Sequence, residues 1–138
     1  MTTETSTAQQ IALVTGATRG IGAAIALELA QKGFRVIGTA TTPEGASKIN
    51  DALAAFPGCM GKTLNVTDAP AVDGLFDEIV KTMGGLHVLV NNAGITRDTL
   101  AMRLKDDDWD AVIDTNLRSV FRLARAAIKP MMKQRFGR

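Results

Sequence analysis

One feature constrains this chain more than any other: short apolar runs alternate with helical patterns. Residues 11–15 (IALVT), 34–40 (FRVIGTA), 60–66 (MGKTLNV) and 86–92 (LHVLVNN) are brief and nearly continuous in apolar character. Such runs read as strands buried on both faces. Amphipathic segments separate them. The first spans about 21–32 and stops at Gly33. The second opens at Thr42 as N-cap with Pro43 behind it and runs to about 56, with Gly45 weakening its first turn. The third begins at Asp68 and Pro70 and ends at Gly84 and Gly85. Asp106, Asp107 and Asp108 then place negative charge where a helix dipole favours it, opening a last helix to about Gln134 with a kink expected near Pro130. A βαβαβαβα order implies an α/β chain. Right-handed crossovers make it a Rossmann-type, doubly wound parallel sheet with strand order 3-2-1-4.

Composition narrows the partners. A net charge of +2, from 16 basic and 14 acidic side chains, gives no reason to expect nucleic acid or a membrane surface. The opening MTTETSTAQQ lacks the basic and apolar regions of a signal peptide. Residues 1–10 therefore read as a flexible tail, residues 11–138 as one folded unit, and the chain as cytoplasmic. Cys59 is the only cysteine, which rules out an internal disulfide and suggests a small buried or half-buried filler. His87 is the only histidine and has no nearby ligand set, so no metal site is expected. There is no tyrosine.

The turn after the first run, VTGATRGIG, places Gly16, Gly20 and Gly22 in a G-x-x-x-G-x-G spacing. A chain that must turn sharply, approach a pyrophosphate with its backbone and pack a helix on a strand has no room for β-carbons at these points. The helix that follows offers N–H donors and a positive dipole to phosphates. The plain alternative is a tight strand-to-helix turn without a ligand.

Three motifs in order carry a family resemblance. Thr15, Gly16, Gly20, Ile21 and Gly22 match T-G-x-x-x-G-I-G. Asn91, Asn92, Ala93 and Gly94 give N-N-A-G at the end of the fourth run, and Asn116 matches a helix asparagine. Over residues 11–138 the chain resembles the short-chain dehydrogenase/reductase family. The resemblance implies a nicotinamide cofactor lined by Gly16, Ala17, Thr18, Arg19, Gly20, Ile21 and Gly22, with the Thr41 hydroxyl at the same end. Asn65 and Val66 stand where an Asp-Val pair contacts adenine, Asn92 beside the adenine-side ribose, with Ala93 and Gly94 following. An NAD-marking carboxylate about 20 residues past the glycine turn is missing: the second run ends IGTATT, with no acid from there until Glu44. Arg19 within the loop is suited to a 2′-phosphate, which favours NADPH/NADP+. A solvated loop arginine is the alternative.

Asn116 lies on the line traced by Trp109, Ile113, Val120, Leu123, Ala127 and Met131 at steps of three and four. From the pattern alone it reads equally well as a satisfied core amide that kinks the helix. The resemblance implies a catalytic position instead, in which this asparagine interrupts the helix and its backbone helps hold a water serving a catalytic lysine. The serine, the tyrosine and the lysine of Y-x-x-x-K that partner it are absent. The chain reaches KQRFGR just before the family's fifth strand and serine. It is therefore expected to be an N-terminal fragment, its sheet short of the C-terminal strands, inactive alone and poorly soluble.

NAGITRD and LNVTD resemble the family members that reduce 3-oxoacyl groups on acyl carrier protein in fatty acid biosynthesis, which are homotetramers. Acetoacetyl-CoA reductases and other short-chain carbonyl reductases are close alternatives. A non-catalytic NADPH-binding module and a fragment that does not fold are alternatives of another kind. Arg118, Arg122, Arg125, Lys129 and Lys133 recur at steps of three and four on the last helix. They form either a solvated face or a basic surface for acyl carrier protein, in which Lys133 and Arg135 would take part; the resemblance implies docking near Arg135.

Overall fold

A computed structural model describes residues 10–138. Four parallel strands, β1 (Ile11–Val14), β2 (Arg35–Ala40), β3 (Met60–Thr63) and β4 (Val88–Val90), form one sheet in the order β3-β2-β1-β4. Val14 at the end of β1 stands opposite both Gly38 and Val90. The helices are α1 (Gly20–Gln31), α2 (Pro43–Ala52), α3 (Ala69–Met83), α4 (Asp106–Ile113) and α5 (Ser119–Gln134). Between α4 and α5 the five residues Asp114–Arg118 form a π-helix, so one continuous helical run contains a local widening.

Period-two alternation along the strands divides the core. Ile11, Leu13 and Ile37 face α3 and α5, where Val72, Leu75, Phe76, Leu123 and Ala127 are buried. Val14 and Val36 face the other way, against Ala26 and Ala30 of α1 and Ile49 of α2. Both faces of the sheet are thus covered, as near-continuous apolar strands require.

The local signals act as their chemistry dictates. The Thr42 hydroxyl accepts from the Gly45 N–H at 3.1 Å with Pro43 beside it, and the Asp68 carboxylate accepts from the Ala71 N–H at 3.2 Å. Gly84, at φ 90°, ends α3 in the left-handed conformation. Some boundaries move. β3 ends at Thr63, and Leu64, Asn65 and Val66 turn across the end of the sheet. α2 ends at Ala52 rather than near 56.

Residues 1–9 of the expected tail lie outside the described residues. Gln10 is buried, and its carbonyl accepts from the Arg35 N–H at 2.9 Å, so the sheet's bonding begins one residue before the expected boundary. Cys59 does more than fill space: its sulfur accepts from the Val36 N–H at 3.2 Å and donates to the Phe34 carbonyl at 3.5 Å. His87 Nδ1 accepts from the Ile11 N–H at 3.0 Å, tying the start of β1 to the start of β4, and burial lowers its pKa. On the outer edge of β4, Arg138 donates to the His87 carbonyl and accepts from the Leu89 N–H, both at 2.9 Å. This is the bonding pattern of a parallel neighbour to Val88. Among the described residues no helix is long and apolar enough to cross a membrane.

Candidate cofactor site

The C-terminal ends of β1, β2 and β4 open on one crevice, where the connections leave β1 and its two neighbours. In open α/β sheets such a point is where ligands bind. A cleft of about 710 Å³ lies there.

The glycine turn forms its floor. Gly20 adopts φ +62°, a left-handed conformation that other residues resist, and a β-carbon there would point into open space. Gly22 is constrained by contact instead. A β-carbon on it would come to 2.1 Å from the Gly16 carbonyl oxygen and 2.4 Å from Asn92 Nδ2. α1 begins at Gly20 with Arg19 as its N-cap. No side chain caps it and its first turn holds no acid, so its leading N–H groups stand uncompensated toward the cleft.

The turn is locked to the end of β4 through Thr15 and Asn92. Thr15 is 1% exposed, and its hydroxyl accepts from the N–H groups of Asn92 and Ala93, each at 3.0 Å. Asn92 Nδ2 donates back to the carbonyls of Thr15 at 3.2 Å and Gly16 at 3.0 Å. From β2, the Thr39 hydroxyl accepts from the Gly16 N–H at 3.4 Å. Thr15 and Thr39 were not among the expected site residues. The available signal was a hydroxyl at the end of an apolar buried strand, a group that must find partners.

Most of the expected cofactor-binding residues meet at this cleft. Gly16, Thr18, Arg19, Gly20, Thr41, Asn65, Val66, Asn92, Ala93 and Gly94 all line it. Ala17 instead is buried, its N–H donating to the Thr39 carbonyl at 2.8 Å. Gly22 packs behind the turn, and Ile21 is 74% exposed. The cleft also takes in Glu44 and Lys48 of α2, and Ile95 and Thr115, which the sequence reading did not select. Arg19 and Lys48 form no ion pair among the described residues.

Asn116 is exposed, which sets aside the reading of it as a satisfied core amide. Its carboxamide is fully directed all the same. Oδ1 accepts from the Ile95 N–H at 2.9 Å and Nδ2 donates to the Ile95 carbonyl at 2.8 Å, so one side chain grips one residue's main chain just past Gly94. The π-helix accounts for the displaced stripe. Five residues in a wider turn slip the register by about one residue, or about 100° of a regular helix. Leu123 and Ala127 stay buried beyond the slip, while Trp109 before it is 59% exposed.

The basic steps on the last helix do not form one uniform surface. Arg118 pairs with Asp114 at 3.0 Å, and Arg125 lies over the Phe121 ring at 4.9 Å. Arg122 turns inward onto main-chain carbonyls. Lys133 is exposed, and Arg135 ends α5 at φ 57°, also exposed and about as far along the helix from the cleft as α5 extends.

The sequence has matches among known proteins. The family model described as short chain dehydrogenase matches residues 10–138. The 3-oxoacyl-[acyl-carrier-protein] reductase FabG of Escherichia coli (strain K12) is 54% identical over 129 residues, which cover 94% of this chain and 52% of that protein. The FabG of Haemophilus influenzae is 53% identical over 131 residues with the same shares, and that of Pseudomonas aeruginosa 49% identical over 131 residues, 94% of this chain and 53% of the relative. The chain spans about half the length of the curated relatives it matches. It belongs to the short-chain dehydrogenase family.

Proposed function

We propose that residues 11–138 are the N-terminal part of a single nicotinamide-nucleotide-binding domain. In the whole protein this domain serves the NADPH-dependent reduction of 3-oxoacyl groups on acyl carrier protein, in the cytoplasm. The relatives' names supply the substrate class. The observation that carries the cofactor reading is the uncapped N-terminus of α1, with Arg19 at its lip, opening on a cleft where β2 is followed by Thr41 and Thr42, with no carboxylate before Glu44.

The residues fit a dinucleotide phosphate. Gly20 leaves backbone exposed to the cleft where a side chain would fill it, and the first N–H groups of α1 suit the pyrophosphate. The guanidinium of Arg19 is free to pair a 2′-phosphate. Thr41 would face the same end, Asn65 and Val66 the adenine, and Asn92, Ala93 and Gly94 the inner wall. The nicotinamide, when bound, supplies the hydride. The chain's own task is to bind and orient. Asn116 fixes the segment after Gly94, and as the proposed catalytic-position residue it would serve a serine, a tyrosine and a lysine. With no tyrosine among its 138 residues, the chain has no phenol to donate a proton. A non-catalytic NADPH-binding role is therefore the second reading for these residues by themselves.

Fluorescence titration of the purified chain tests the cofactor reading. NADPH should bind more tightly than NADH, and Arg19→Ala should remove most of the difference. Equal affinity for both would overturn it. In a polypeptide of the relatives' full length, Arg135→Glu should impair turnover of an acyl-carrier-protein thioester more than that of a small ketoester, and with Lys133 it forms the proposed carrier contact. Equal losses would remove Arg135 from that role. Equal turnover of acetoacetyl-CoA and the carrier thioester would favour a coenzyme A reductase.

A further inference from the structure

Arg122 belongs by spacing to the row of basic residues on α5, yet its side chain is half-buried and points away from solvent. Its Nη1 donates to two successive main-chain carbonyls, those of Val66 and Thr67, each at 3.3 Å. These carbonyls belong to the short turn after β3. Asn65 and Val66 of that turn line the cleft. The turn starts with the Leu64 N–H donating to the Ala40 carbonyl of β2 at 2.8 Å, and its remaining polar bonds are internal or lead into α3: Asn65 Oδ1 accepts from the Thr67 N–H at 3.0 Å and the Thr67 hydroxyl at 2.8 Å, and the Asn65 carbonyl accepts from the Asp68 N–H at 3.0 Å. Leu64 and Val66 anchor the turn by their apolar side chains in the core, and Arg122 is the side chain from outside the turn that hydrogen-bonds its Val66 and Thr67 carbonyls.

The same helical run carries Asn116, which grips Ile95 on the far wall of the cleft. One rigid element thus holds both walls through side chains that bond only to main chain. We infer that Arg122 is a positioning residue for the adenine wall. It fixes the 66–67 peptide and so sets where Asn65 and Val66 meet a purine. The inference rests on the cofactor reading above.

A cation held by neutral carbonyls contributes through geometry, so its loss should fall on one half of the ligand. Binding by the purified chain should be measured for NADPH, for 2′,5′-ADP as the adenine half, and for reduced nicotinamide mononucleotide as the other half. Arg122→Met keeps the apolar stem packed and removes the donors. It should weaken NADPH and 2′,5′-ADP by a common factor of about fivefold to tenfold, leave the mononucleotide unchanged, and speed hydrogen exchange at the Thr67 and Asp68 amides. Arg122→Lys, which retains a charged donor, should recover part of the loss. If Arg122→Met does not fold, Arg122→Gln, a shorter donor, replaces it with the same expected pattern. Unchanged 2′,5′-ADP affinity, or an equal loss on both halves, would overturn the positioning role while leaving the cofactor reading in place. A parent chain that binds no NADPH would overturn both.

Discussion

The two walls of the cleft are held by different physics. On the side of the glycine turn, backbone meets backbone closely and a buried hydroxyl ties it down: Gly22 sits under the Gly16 carbonyl, and the Thr15 hydroxyl serves two N–H groups at once. On the side of the last helices, contact is sparse. Leu117 and Phe121 are 63% and 61% exposed, and the helical run reaches the cleft by side-chain hydrogen bonds to main chain, from Asn116 to Ile95 and from Arg122 to Val66 and Thr67. Close packing tolerates no added atom, whereas a solvent-exposed polar tether loses only the net value of its hydrogen bonds when cut. The turn should therefore be brittle and the helix wall forgiving.

The contrast can be broken in four places. Gly22→Ala should have the largest effect, because the added carbon cannot be accommodated without moving main chain. A loss of about 3 kcal/mol in denaturant unfolding is expected, together with loss of nucleotide binding. A cost below about 1 kcal/mol would show that the turn gives way. Thr15→Val keeps the volume and strips the hydroxyl from two buried N–H groups. It should cost about 2 kcal/mol by the same measurement.

Asn116→Ala removes both bonds to Ile95 at an exposed position, for about 1 kcal/mol. Hydrogen exchange at the Ile95 amide should accelerate far more than global stability falls. A loss equal to that of Gly22→Ala would erase the distinction between the walls.

The smallest effect should come from His87, at the opposite ends of β1 and β4. Its Nδ1 must be unprotonated to accept from Ile11, and burial lowers its pKa in the folded state. The unfolded chain therefore takes up the proton more readily. The His87 contribution is fully present above the ordinary histidine pKa of about 6.5 and fades as pH falls through and below it. A modest drop in the unfolding midpoint between about pH 7 and pH 5 is expected. His87→Asn, whose Oδ1 can accept the same N–H, should flatten it. A drop of equal size in that variant would assign the effect to other groups.

How much of this was readable beforehand follows the same division. The strand order and the glycine turn were legible because each rests on local rules, a run of apolar residues or an absent β-carbon, that hold wherever the chain goes. The partnership of Thr15 with Asn92 joins residues far apart in sequence, and nothing in the spacing announces it. For Asn116 the pattern left a core reading open for another reason. A stripe drawn at a constant angle per residue assumes a uniform helix, and the π turn at Asp114–Arg118 breaks that assumption where Asn116 sits. Arg122 was hidden in a regular charge pattern because spacing says nothing about which long side chain folds inward.

The grip of Asn116 on Ile95 reads only an N–H and a carbonyl, the parts of a residue that nearly all amino acids share. It is indifferent to the side chain at position 95, and proline, without the N–H, is the exception. The wall can therefore be resurfaced without being reshaped. Homologous chains with the same asparagine are free to vary the chemistry facing the cleft at this point while the peptide behind it stays where it is.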